Sequence, residues 1–351
     1  MPNSHFIDTF RTQLINDNVF IIDSVSQMVA FFHEEVATNK IPLSSLLILG
    51  GGSNLLFVEP FDGVILLNQI KGIIKEETEE EYFLHVGAGE SWHEFVAYTI
   101  EENIDGLENL ALIPGTVGAA PIQNIGAYGA EFKMFCQYVD ILDIETLSIE
   151  RLFAETCQFG YRDSIFKRSY KNKAVILAVG FAIPKKWQPI LTYGELKAFN
   201  SEEVTAKIIF NKICEVRAAK LPDPNVIGNA GSFFKNPIVD KSLFDSLLFS
   251  YPELPFYPLE DSKERVKLAA GWLIDKAGLK GHAINDAKVH INQALVLTNQ
   301  GNATGNDIAL LAKFVQEAVY EKFQVMLEPE VRFIGKNGEV DPLEYLSKLI
   351  F

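Results

Sequence analysis

Residues 47–56 read Leu-Ile-Leu-Gly-Gly-Gly-Ser-Asn-Leu-Leu, an apolar strand that runs directly into three glycines and two small polar residues. Because glycine has no Cβ, its backbone can come closer to a bulky ligand than that of any other residue. A second loop, residues 113–121, reads Ile-Pro-Gly-Thr-Val-Gly-Ala-Ala-Pro and continues to Gly129 with almost no charge. Backbone N–H groups in such loops can hold phosphate oxygens. Either loop alone is more typical of a tight turn, but together they predict a pyrophosphate site.

Neither loop fits the common nucleotide-binding signatures. The Lys-Ser/Thr pair of a P-loop is missing, which disfavours kinase and ATPase chemistry. The sequence Gly87-Ala88-Gly89 lacks the third small position of the Rossmann fingerprint, and no acidic residue is suitably placed beyond a following helix. Dinucleotide binding would therefore need another scaffold.

The composition limits the possible partners and compartments. A chain of 351 residues with 48% hydrophobic content can form two or three domains. Its formal net charge of −15 disfavours nucleic acid and anionic membrane surfaces as partners, although a small anion can still be held locally. The first 14 residues lack the pattern of a signal peptide, and the longest apolar runs are about half of the roughly 18 residues that cross a bilayer. We therefore expect a cytoplasmic protein without membrane insertion.

Cysteine and histidine usage predicts neither disulfides nor a metal site. Cys136, Cys157 and Cys214 are odd in number and far apart, which fits a reduced cytosol. The six histidines lack the spacing of metal ligands. No metal is expected.

Hydrophobic periodicity predicts mixed α and β structure. Strands are expected at 46–49, 138–144 and 174–183, and helices at 26–36, from Ser91 to near Asn103, at 267–277 and at 306–323. Ser91 and Glu94 predict a capping box, and Thr304 and Asp307 suit the start of the last helix. The apolar residues at helical spacing on that helix predict a core contact: Ile308, Leu311, Val315, Val319 and Phe323. The acidic residues 76–81 indicate an exposed hairpin turn. Prolines and glycines between 222 and 231 interrupt regular structure and predict a domain boundary near Arg217.

Five further motifs carry a resemblance to a known family. They are Phe-Gly-Tyr-Arg-Asp-Ser-Ile-Phe at 159–166, Leu-Thr-Tyr-Gly-Glu-Leu at 191–196, Lys-Leu-Pro-Asp-Pro at 220–224, Gly-Asn-Ala-Gly-Ser-Phe-Phe-Lys-Asn-Pro at 228–237 and Leu-Glu-Pro-Glu-Val-Arg at 327–332. With the two glycine loops, they resemble the UDP-N-acetylenolpyruvoylglucosamine reductases, in the form that carries a substrate-gating tyrosine loop. The motifs run from about residue 50 to 335 in the family's order.

The resemblance implies an α+β protein with an FAD-binding fold of the vanillyl-alcohol-oxidase (PCMH) type and a separate α/β substrate-binding domain. The implied divisions are 1–68 for FAD-binding subdomain 1, 69–217 plus 328–351 for FAD-binding subdomain 2, and 218–327 for the substrate-binding domain. It also implies that residues 327–331 pack beside the strands of the middle segment.

The implied activity is the reduction of UDP-N-acetylglucosamine enolpyruvate to UDP-N-acetylmuramate in peptidoglycan precursor synthesis. FAD would be bound non-covalently, NADPH would be the co-substrate, and the protein would be a cytoplasmic monomer linked to cell shape and cell division. Two rivals remain: an FAD oxidase of the same fold acting on another sugar or alcohol, and a flavin-containing binding protein without turnover.

Hydride addition to the enolpyruvyl group builds an enolate-like dianion, so the site needs a fixed cation, a proton-sharing acid and a proton donor. The resemblance assigns these roles to Arg162, Glu330 and Ser232 respectively. Glu330 would have to be protonated, or share a proton, to stand beside the substrate carboxylate. Glu328 remains an alternative, because residues i and i+2 of a strand face the same side.

The resemblance also assigns ligand contacts. Cofactor contacts are expected from Gly50, Gly51, Gly52, Ser53, Asn54, Leu55, Pro114, Gly115, Thr116, Gly118, Gln123, Asn124 and Gly129. Substrate contacts are expected from Tyr128, Tyr193, Lys220, Asn236, Tyr257, Gln293 and Arg332.

Plain alternatives exist for several of these residues. Ser232 alone would be interpreted as a turn serine, Arg162 and Asp163 as a surface ion pair, and Glu328 and Glu330 as the exposed face of an edge strand. The sequence also departs from the family at Thr9-Phe10-Arg11, where Thr-Phe-Gly is usual, and at the charged residues 260–265, which look like a small surface insertion. Arginine resists backbone angles that glycine allows, so the first turn is expected to differ.

Overall fold

The computed structural model describes residues 8–12, 16, 18–259 and 262–350. In chain order its strands are β1 Val19–Ile22, β2 Leu46–Leu49, β3 Leu55–Phe57, β4 Val64–Asn68, β5 Ile73–Glu77, β6 Glu81–Gly87, β7 Gly126–Ala127, β8 Ala130–Glu131, β9 Cys136–Asp143, β10 Ile149–Phe153, β11 Ala174–Pro184, β12 Gly228–Ser232, β13 Ile238–Asp240, β14 Phe256–Leu259, β15 Ser262–Leu268, β16 Ala283–Ile284, β17 Ala287–Val289, β18 Val296–Asn299, β19 Arg332–Gly335 and β20 Gly338–Val340. The α-helices are α1 Val25–Phe31, α2 Trp92–Glu101, α3 Ala206–Lys220, α4 Lys241–Ser250, α5 Ala270–Lys276, α6 Gly305–Phe323 and α7 Pro342–Lys348.

The chain divides into two compact units. Unit 1 comprises Met1–Asn16, Gly52–Asp62 and Ala218–Phe351, and unit 2 comprises Asp17–Gly51 and Gly63–Arg217. Along the sequence, the first glycine loop therefore passes from unit 2 into unit 1. The division into two FAD-binding subdomains and a substrate-binding domain stays a prediction.

Unit 2 is built on a parallel sheet and an antiparallel sheet. The parallel sheet has the order β1-β4-β2, and the antiparallel sheet has the order β10-β9-β11-β6-β5. The centre of the larger sheet, β11, is a long apolar strand whose residues from Val175 to Phe181 are all buried. Ser91 caps helix α2: its hydroxyl accepts a hydrogen bond from the Glu94 backbone N–H at 3.4 Å, which is one half of the predicted capping box. The helix buries Phe95 against Phe181, with ring centroids 4.9 Å apart.

In the described residues of unit 1, the strands form sheets with the orders β12-β18-β17-β16, β13-β15-β14 and β20-β19-β3. The core of unit 1 includes the apolar face of α6, which starts with the predicted capping box between Thr304 and Asp307. Five residues at helical spacing on that helix are buried: Ile308, Leu311, Val315, Val319 and Phe323. The predicted core role of this helix is confirmed.

The segment around residue 265 corrects one expectation. The predicted helix at 267–277 begins only at Ala270, because Lys267 belongs to β15. Strand β15 pairs with both β13 and β14, and its residues 263–265 are exposed, while the interpretation of 260–265 as a small surface insertion stays a prediction. Glu260 and Asp261 lie outside the described residues, as do residues 1–7 of the N-terminal stretch.

The expected position of residues 327–331 beside the middle strands is wrong. Pro329 forms a bridge with Phe234, and the backbone N–H of Glu330 donates to the Phe233 carbonyl at 2.7 Å. The following strand, β19, pairs in parallel with β3. Backbone pairing thus holds this segment within unit 1 instead of adding it to the five-stranded sheet.

Candidate active site

The first glycine loop lies against the second within unit 2. A Cβ added to Gly50 would overlap the Thr116 hydroxyl, and one added to Gly51 would lie 3.2 Å from the Gly115 Cα. Only glycine permits this approach of the two backbones. The glycines after β2 are therefore explained by the close contact between the two loops, and not only by the backbone conformation of a turn.

Backbone bonds to residues 88–92 fix the second loop. Trp92 donates its backbone N–H to the Gly115 carbonyl at 3.0 Å, while Val117 donates to the Glu90 carbonyl and Gly118 to the Ala88 carbonyl, both at 2.8 Å. Among the described residues, the backbone N–H groups of Gly50, Gly51, Gly115 and Thr116 find no acceptor. Four donors are thereby presented in one region, as the binding of a phosphate requires.

Asn124 and Gly129 lie in the continuation of the second glycine loop. The Asn124 side chain donates to Glu131 Oε2 and to the Gly160 carbonyl, both at 3.0 Å, and its Oδ1 accepts from the Lys133 N–H. Because these protein bonds occupy the side chain, a flavin contact from Asn124 would come from its backbone. Gly129 has a φ of 86°, a conformation that favours glycine.

Two tyrosines predicted for the substrate lie together in unit 2. The rings of Tyr128 and Tyr193 form an edge-to-face pair with centroids 5.9 Å apart, and Tyr193 is 42% exposed. Arg217 donates from Nε to the Leu112 carbonyl at 3.2 Å, and its buried guanidinium interacts electrostatically with Tyr128. Burial raises the pKa of Tyr128 and lowers the pKa of Arg217. Arg217 was missed from the sequence, where an arginine near a helix end carries no motif of its own.

Arg162 stands in a tight turn. Gly160 and Asp163 exchange backbone hydrogen bonds around it, and Arg162 has a φ of 53°. Its guanidinium donates from Nη2 to the Gly126 carbonyl at 3.1 Å. Asp163 instead pairs with Arg168, with 2.9 Å between Nη1 and Oδ2, so the plain interpretation of an Arg162–Asp163 ion pair is wrong. Strained backbone of this kind recurs at functional sites.

Ser232 and Glu330 lie on neighbouring segments of unit 1. Ser232 ends β12 and is exposed, and the Glu330 backbone bonds to Phe233, the next residue after Ser232. Asn54 donates from Nδ2 to the Glu330 carbonyl at 3.3 Å, and its own carbonyl accepts from the Arg332 N–H at 3.1 Å. The structure therefore joins the predicted catalytic residue Glu330 to the predicted cofactor residue Asn54 through the Asn54 side chain.

Glu328 has a different environment from Glu330. It is exposed, and its Oε2 lies 3.3 Å from Lys235 Nζ. Glu330 is only partly exposed. The ion pair gives Glu328 a surface role and leaves Glu330 the stronger candidate for the site.

The remaining predicted substrate residues also lie in unit 1. Asn236 accepts the Ala270 N–H at 3.0 Å, which ties it to the start of α5. Lys267 Nζ lies 5.7 Å from the centre of the Tyr257 ring, its cross-strand neighbour. Gln293 is partly buried and Lys220 is exposed. Arg332 forms an ion pair with Glu339, with 2.8 Å between Nη2 and Oε2, which indicates a role in the β19–β20 hairpin.

The described residues also bear on metal binding and membrane insertion. No cluster of three or more histidine, cysteine or acidic side chains there could hold a metal ion. The helices of the same part of the chain include none with the length and apolar character of a membrane span.

Comparison with known proteins identifies the family. The family model described as UDP-N-acetylenolpyruvoylglucosamine reductase, C-terminal domain, matches residues 223–334. The FAD binding domain model matches residues 21–146. Enzymes named UDP-N-acetylenolpyruvoylglucosamine reductase are similar over most of the chain: that of Yersinia pestis is 50% identical, covering 97% of both chains, and that of Photobacterium profundum is 57% identical, covering 86% of both. The chain belongs to this family.

Other members of the reductase family agree with this assignment. The Escherichia coli enzyme is 54% identical, covering 86% of this chain and 88% of its own. A solved UDP-N-acetylenolpyruvylglucosamine reductase from Thermus caldophilus is 20% identical, with a TM-score of 0.62 over 93% of this chain and 95% of its own. The likeness to the Thermus caldophilus structure and the match to the FAD binding domain model together confirm the α+β fold with an FAD-binding domain of the vanillyl-alcohol-oxidase type.

As a member of the reductase family, the chain is an FAD-containing oxidoreductase, with NADPH as co-substrate. The residues of unit 2 fit that cofactor. The close approach at Gly50 and Gly51 and the four N–H donors without acceptors have the chemistry that a flavin dinucleotide's pyrophosphate needs.

Proposed function

We propose that this chain catalyses the NADPH-dependent reduction of UDP-N-acetylglucosamine enolpyruvate to UDP-N-acetylmuramate. The observation that carries the proposal is its 50% identity to the Yersinia pestis reductase over 97% of both chains. The motif residues Arg162, Ser232 and Glu330 all stand in this sequence. A flavin-binding protein without turnover would not need them.

Bound FAD supplies a two-electron relay between the nicotinamide and the enolpyruvyl double bond. The protein's own part is to manage charge on the substrate, because hydride addition at the methylene carbon puts negative charge on a group that already carries a carboxylate. Arg162 would hold that carboxylate through its planar donor fork, which a lysine cannot reproduce. The turn that fixes Arg162 at a φ of 53° supports this role, because it limits where the guanidinium can point.

Ser232 would deliver a proton to the carbon that bears the carboxylate. A serine hydroxyl is a weak acid, but an enolate-like intermediate is strongly basic, and a water or lysine can restore the proton. Glu330 would stand beside the substrate carboxylate in a protonated or proton-sharing form. The bonds from Asn54 and to Phe233 support this assignment, because they fix the backbone of Glu330.

The UDP part of the substrate would meet the remaining predicted residues. Tyr193 would act as the gate of the tyrosine loop, and Lys220 and Asn236 would lie near the phosphates and carboxylate. Tyr128, Tyr257, Gln293 and Arg332 would complete the contacts. We add Arg217, because its buried guanidinium is held by the Leu112 carbonyl and places a positive charge near Tyr128.

The cellular setting follows from this chemistry. Peptidoglycan precursors carrying UDP are made in the cytoplasm, so we place the protein there as a monomer with roles in cell wall biogenesis, cell shape and cell division. The thiols of Cys136 and Cys157 are free and buried, which suits a reducing compartment. Burial raises the pKa of Cys157 to about 12, so this thiol is unreactive at neutral pH. The net charge of −15 argues against nucleic acid as a partner.

An anaerobic titration tests the function. The purified protein is reduced with NADPH, UDP-N-acetylglucosamine enolpyruvate is added, and the visible flavin band is followed. We expect rapid, stoichiometric recovery of oxidised flavin. If the flavin stays reduced with substrate but reoxidises quickly in air, the proposed reaction is wrong and the FAD oxidase takes its place. A protein that binds no flavin would overturn both.

A further inference from the structure

The short turn at residues 108–110 of unit 2 contacts the two backbone segments that carry Tyr128 and Tyr193. Asn109 is fully buried, and its Nδ2 donates to the Tyr128 carbonyl at 2.8 Å and to the Ile190 carbonyl at 2.9 Å. One amide nitrogen thus ties the backbone of Tyr128 to the residue three positions before Tyr193. The two segments are 62 residues apart in sequence, and Asn109 is a direct link between them.

The neighbouring Glu108 holds the same segment from its other end. Glu108 is 1% exposed, its Oε1 accepts from Trp187 Nε1 at 2.7 Å, and its Oε2 accepts from the Gly106 N–H at 2.6 Å. Consecutive buried side chains therefore anchor residues 187 and 190. Beyond Ile190 the chain becomes exposed at Thr192, Tyr193 and Gly194. The anchored part of the loop ends just before the tyrosine.

Gly129 completes the support for the loop. A Cβ at this position would lie 3.1 Å from Ile190 Cγ2 and 3.1 Å from Thr192 Oγ1. The backbone after Tyr128 therefore packs directly against the loop that carries Tyr193. Three contacts, from Glu108, Asn109 and Gly129, meet the stretch between Trp187 and Thr192.

We propose that Asn109, assisted by Glu108, is a positioning residue that sets the relative placement of Tyr128 and Tyr193 and makes Ile190 the fixed end of the exposed segment that carries Tyr193. The inference rests on the proposed function, because it assigns both tyrosines to the substrate. The inference extends the proposed function by naming the residue that determines how tightly the UDP-sugar is bound. Asn109 need not touch the substrate for this.

The chemistry of the amide explains why asparagine suits the position. Two carbonyl oxygens converge on one atom, so that atom must be a donor with two hydrogens, which an Asn Nδ2 supplies. An aspartate of the same shape would place a carboxylate oxygen against two carbonyl oxygens and would repel both. Asn109→Asp therefore tests the donor, while Asn109→Ala tests its removal.

The experiment compares steady-state kinetics of purified, flavin-loaded variants. For Asn109→Ala we expect the KM for the enolpyruvyl substrate to rise by about tenfold or more, since loss of a buried hydrogen bond amounts to about a factor of ten in an equilibrium. Trp187→Phe keeps an aromatic ring but removes the donor to Glu108, and we expect a smaller rise in KM. Flavin content should stay at the wild-type level in both.

Thr99→Ala is the matched control. Thr99 is also fully buried in unit 2, but its hydroxyl donates to the Val96 carbonyl within α2. This variant should lower the thermal midpoint as Asn109→Ala does, with the KM unchanged. If both variants lower the midpoint and neither changes the KM, Asn109 is merely structural and the inference is wrong.

A double-variant cycle with Tyr193→Ala decides whether Asn109 acts through the tyrosine. We expect Asn109→Ala to add little to the KM once Tyr193 is gone, because the group it places is missing. Full additivity would overturn the inference. If Asn109→Asp does not fold, Asn109→Ala and Trp187→Phe carry the test. Failure of the wild-type protein in the anaerobic titration would instead reject the proposed function itself.

Discussion

The two units build their parts of the candidate site in different ways. In unit 2, the residues Asn124, Tyr128 and Arg162 have left-handed backbone, with φ values of 46°, 49° and 53°. Buried side chains such as Asn109 and Asn124 hold these turns by hydrogen bonds. In unit 1, Ser232 and Glu330 lie on segments joined chiefly by backbone bonds, to which the Asn54 side chain adds one bond.

The difference predicts two kinds of response to substitution, one in the geometry of the site and one in its chemistry. Where side chains hold the backbone, a single substitution changes the shape of the site, and ligand binding should suffer first. Where backbone pairing holds the site, a substitution removes only the chemistry of the altered group, and the rate of one step should suffer first. Unit 2 should therefore be sensitive in binding and unit 1 in catalysis.

The largest expected effect is that of Ser232→Ala in unit 1. Loss of the proton donor should slow substrate-dependent reoxidation of the flavin by on the order of 10²–10⁴-fold. Reduction of the flavin by NADPH should remain close to the wild-type rate. Stopped-flow absorbance under anaerobic conditions measures both steps.

Ser246→Ala, on the exposed surface of α4, is the control for that substitution and should alter neither step. An equal loss in both half-reactions for Ser232→Ala would remove serine from the proton-donor role. It would also break the contrast between the units, because shape would then matter in both.

A smaller but distinct effect is expected for Gly50→Ala in unit 2. The new methyl group would overlap the Thr116 hydroxyl, and such overpacking costs about 1–3 kcal/mol, enough to lower FAD affinity by roughly 10- to 100-fold. The ratio of flavin to protein after gel filtration measures the loss. Combining it with Thr116→Ala removes the hydroxyl and should restore part of the binding. Full flavin content in Gly50→Ala would contradict the proposed cradle.

The smallest effect concerns Arg11, where the sequence departs from the Thr-Phe-Gly that is usual in the family. Arg11 has a φ of 57°, a left-handed conformation that favours glycine, and whether the first turn differs from that of the family stays a prediction. Its guanidinium donates to the Asn225 carbonyl at 3.0 Å and the Val226 carbonyl at 3.3 Å. These bonds offset the strain of a left-handed arginine.

Paired substitutions separate the two contributions at Arg11. Arg11→Ala loses the guanidinium and keeps the strain, whereas Arg11→Gly loses both, so Gly should be more stable than Ala by about 1 kcal/mol. Urea unfolding gives the difference in free energy of unfolding. Equal stabilities would show that the left-handed backbone costs nothing here.

Local signals accounted for the elements that a few neighbouring residues determine. The cap at Ser91, the capping box at Thr304 and the buried face of α6 were all predicted, because their partners are within one or two helical turns. The errors arose where distant partners decide the structure. Lys267 reads as helical until its pairing with Tyr257 makes it part of a strand, and Pro329 bridges to Phe234, almost a hundred residues earlier.

In the candidate site, too, features that depend on distant partners were not predicted. Motifs identified residues with a chemical role, such as Arg162 and Ser232, because the chemistry restricts the residue type. They did not identify Arg217 or Asn109, because the side chains of these residues bond to backbone carbonyls of distant segments and carry no motif of their own. Asn109 stands in an unremarkable stretch, and only the convergence of two distant carbonyls on its amide reveals a role.

The parallel pairing of β3 with β19 has a consequence for synthesis on the ribosome. Strand β3 follows the first glycine loop directly, yet its partner, Arg332–Gly335, is made about 275 residues later. During translation the loop therefore leaves the ribosome long before the strand that fixes its downstream end exists. Long-range pairing of this kind is slow to form. A nascent chain should remain unable to hold flavin firmly until almost the whole polypeptide has emerged, so cofactor loading would mark the end of synthesis.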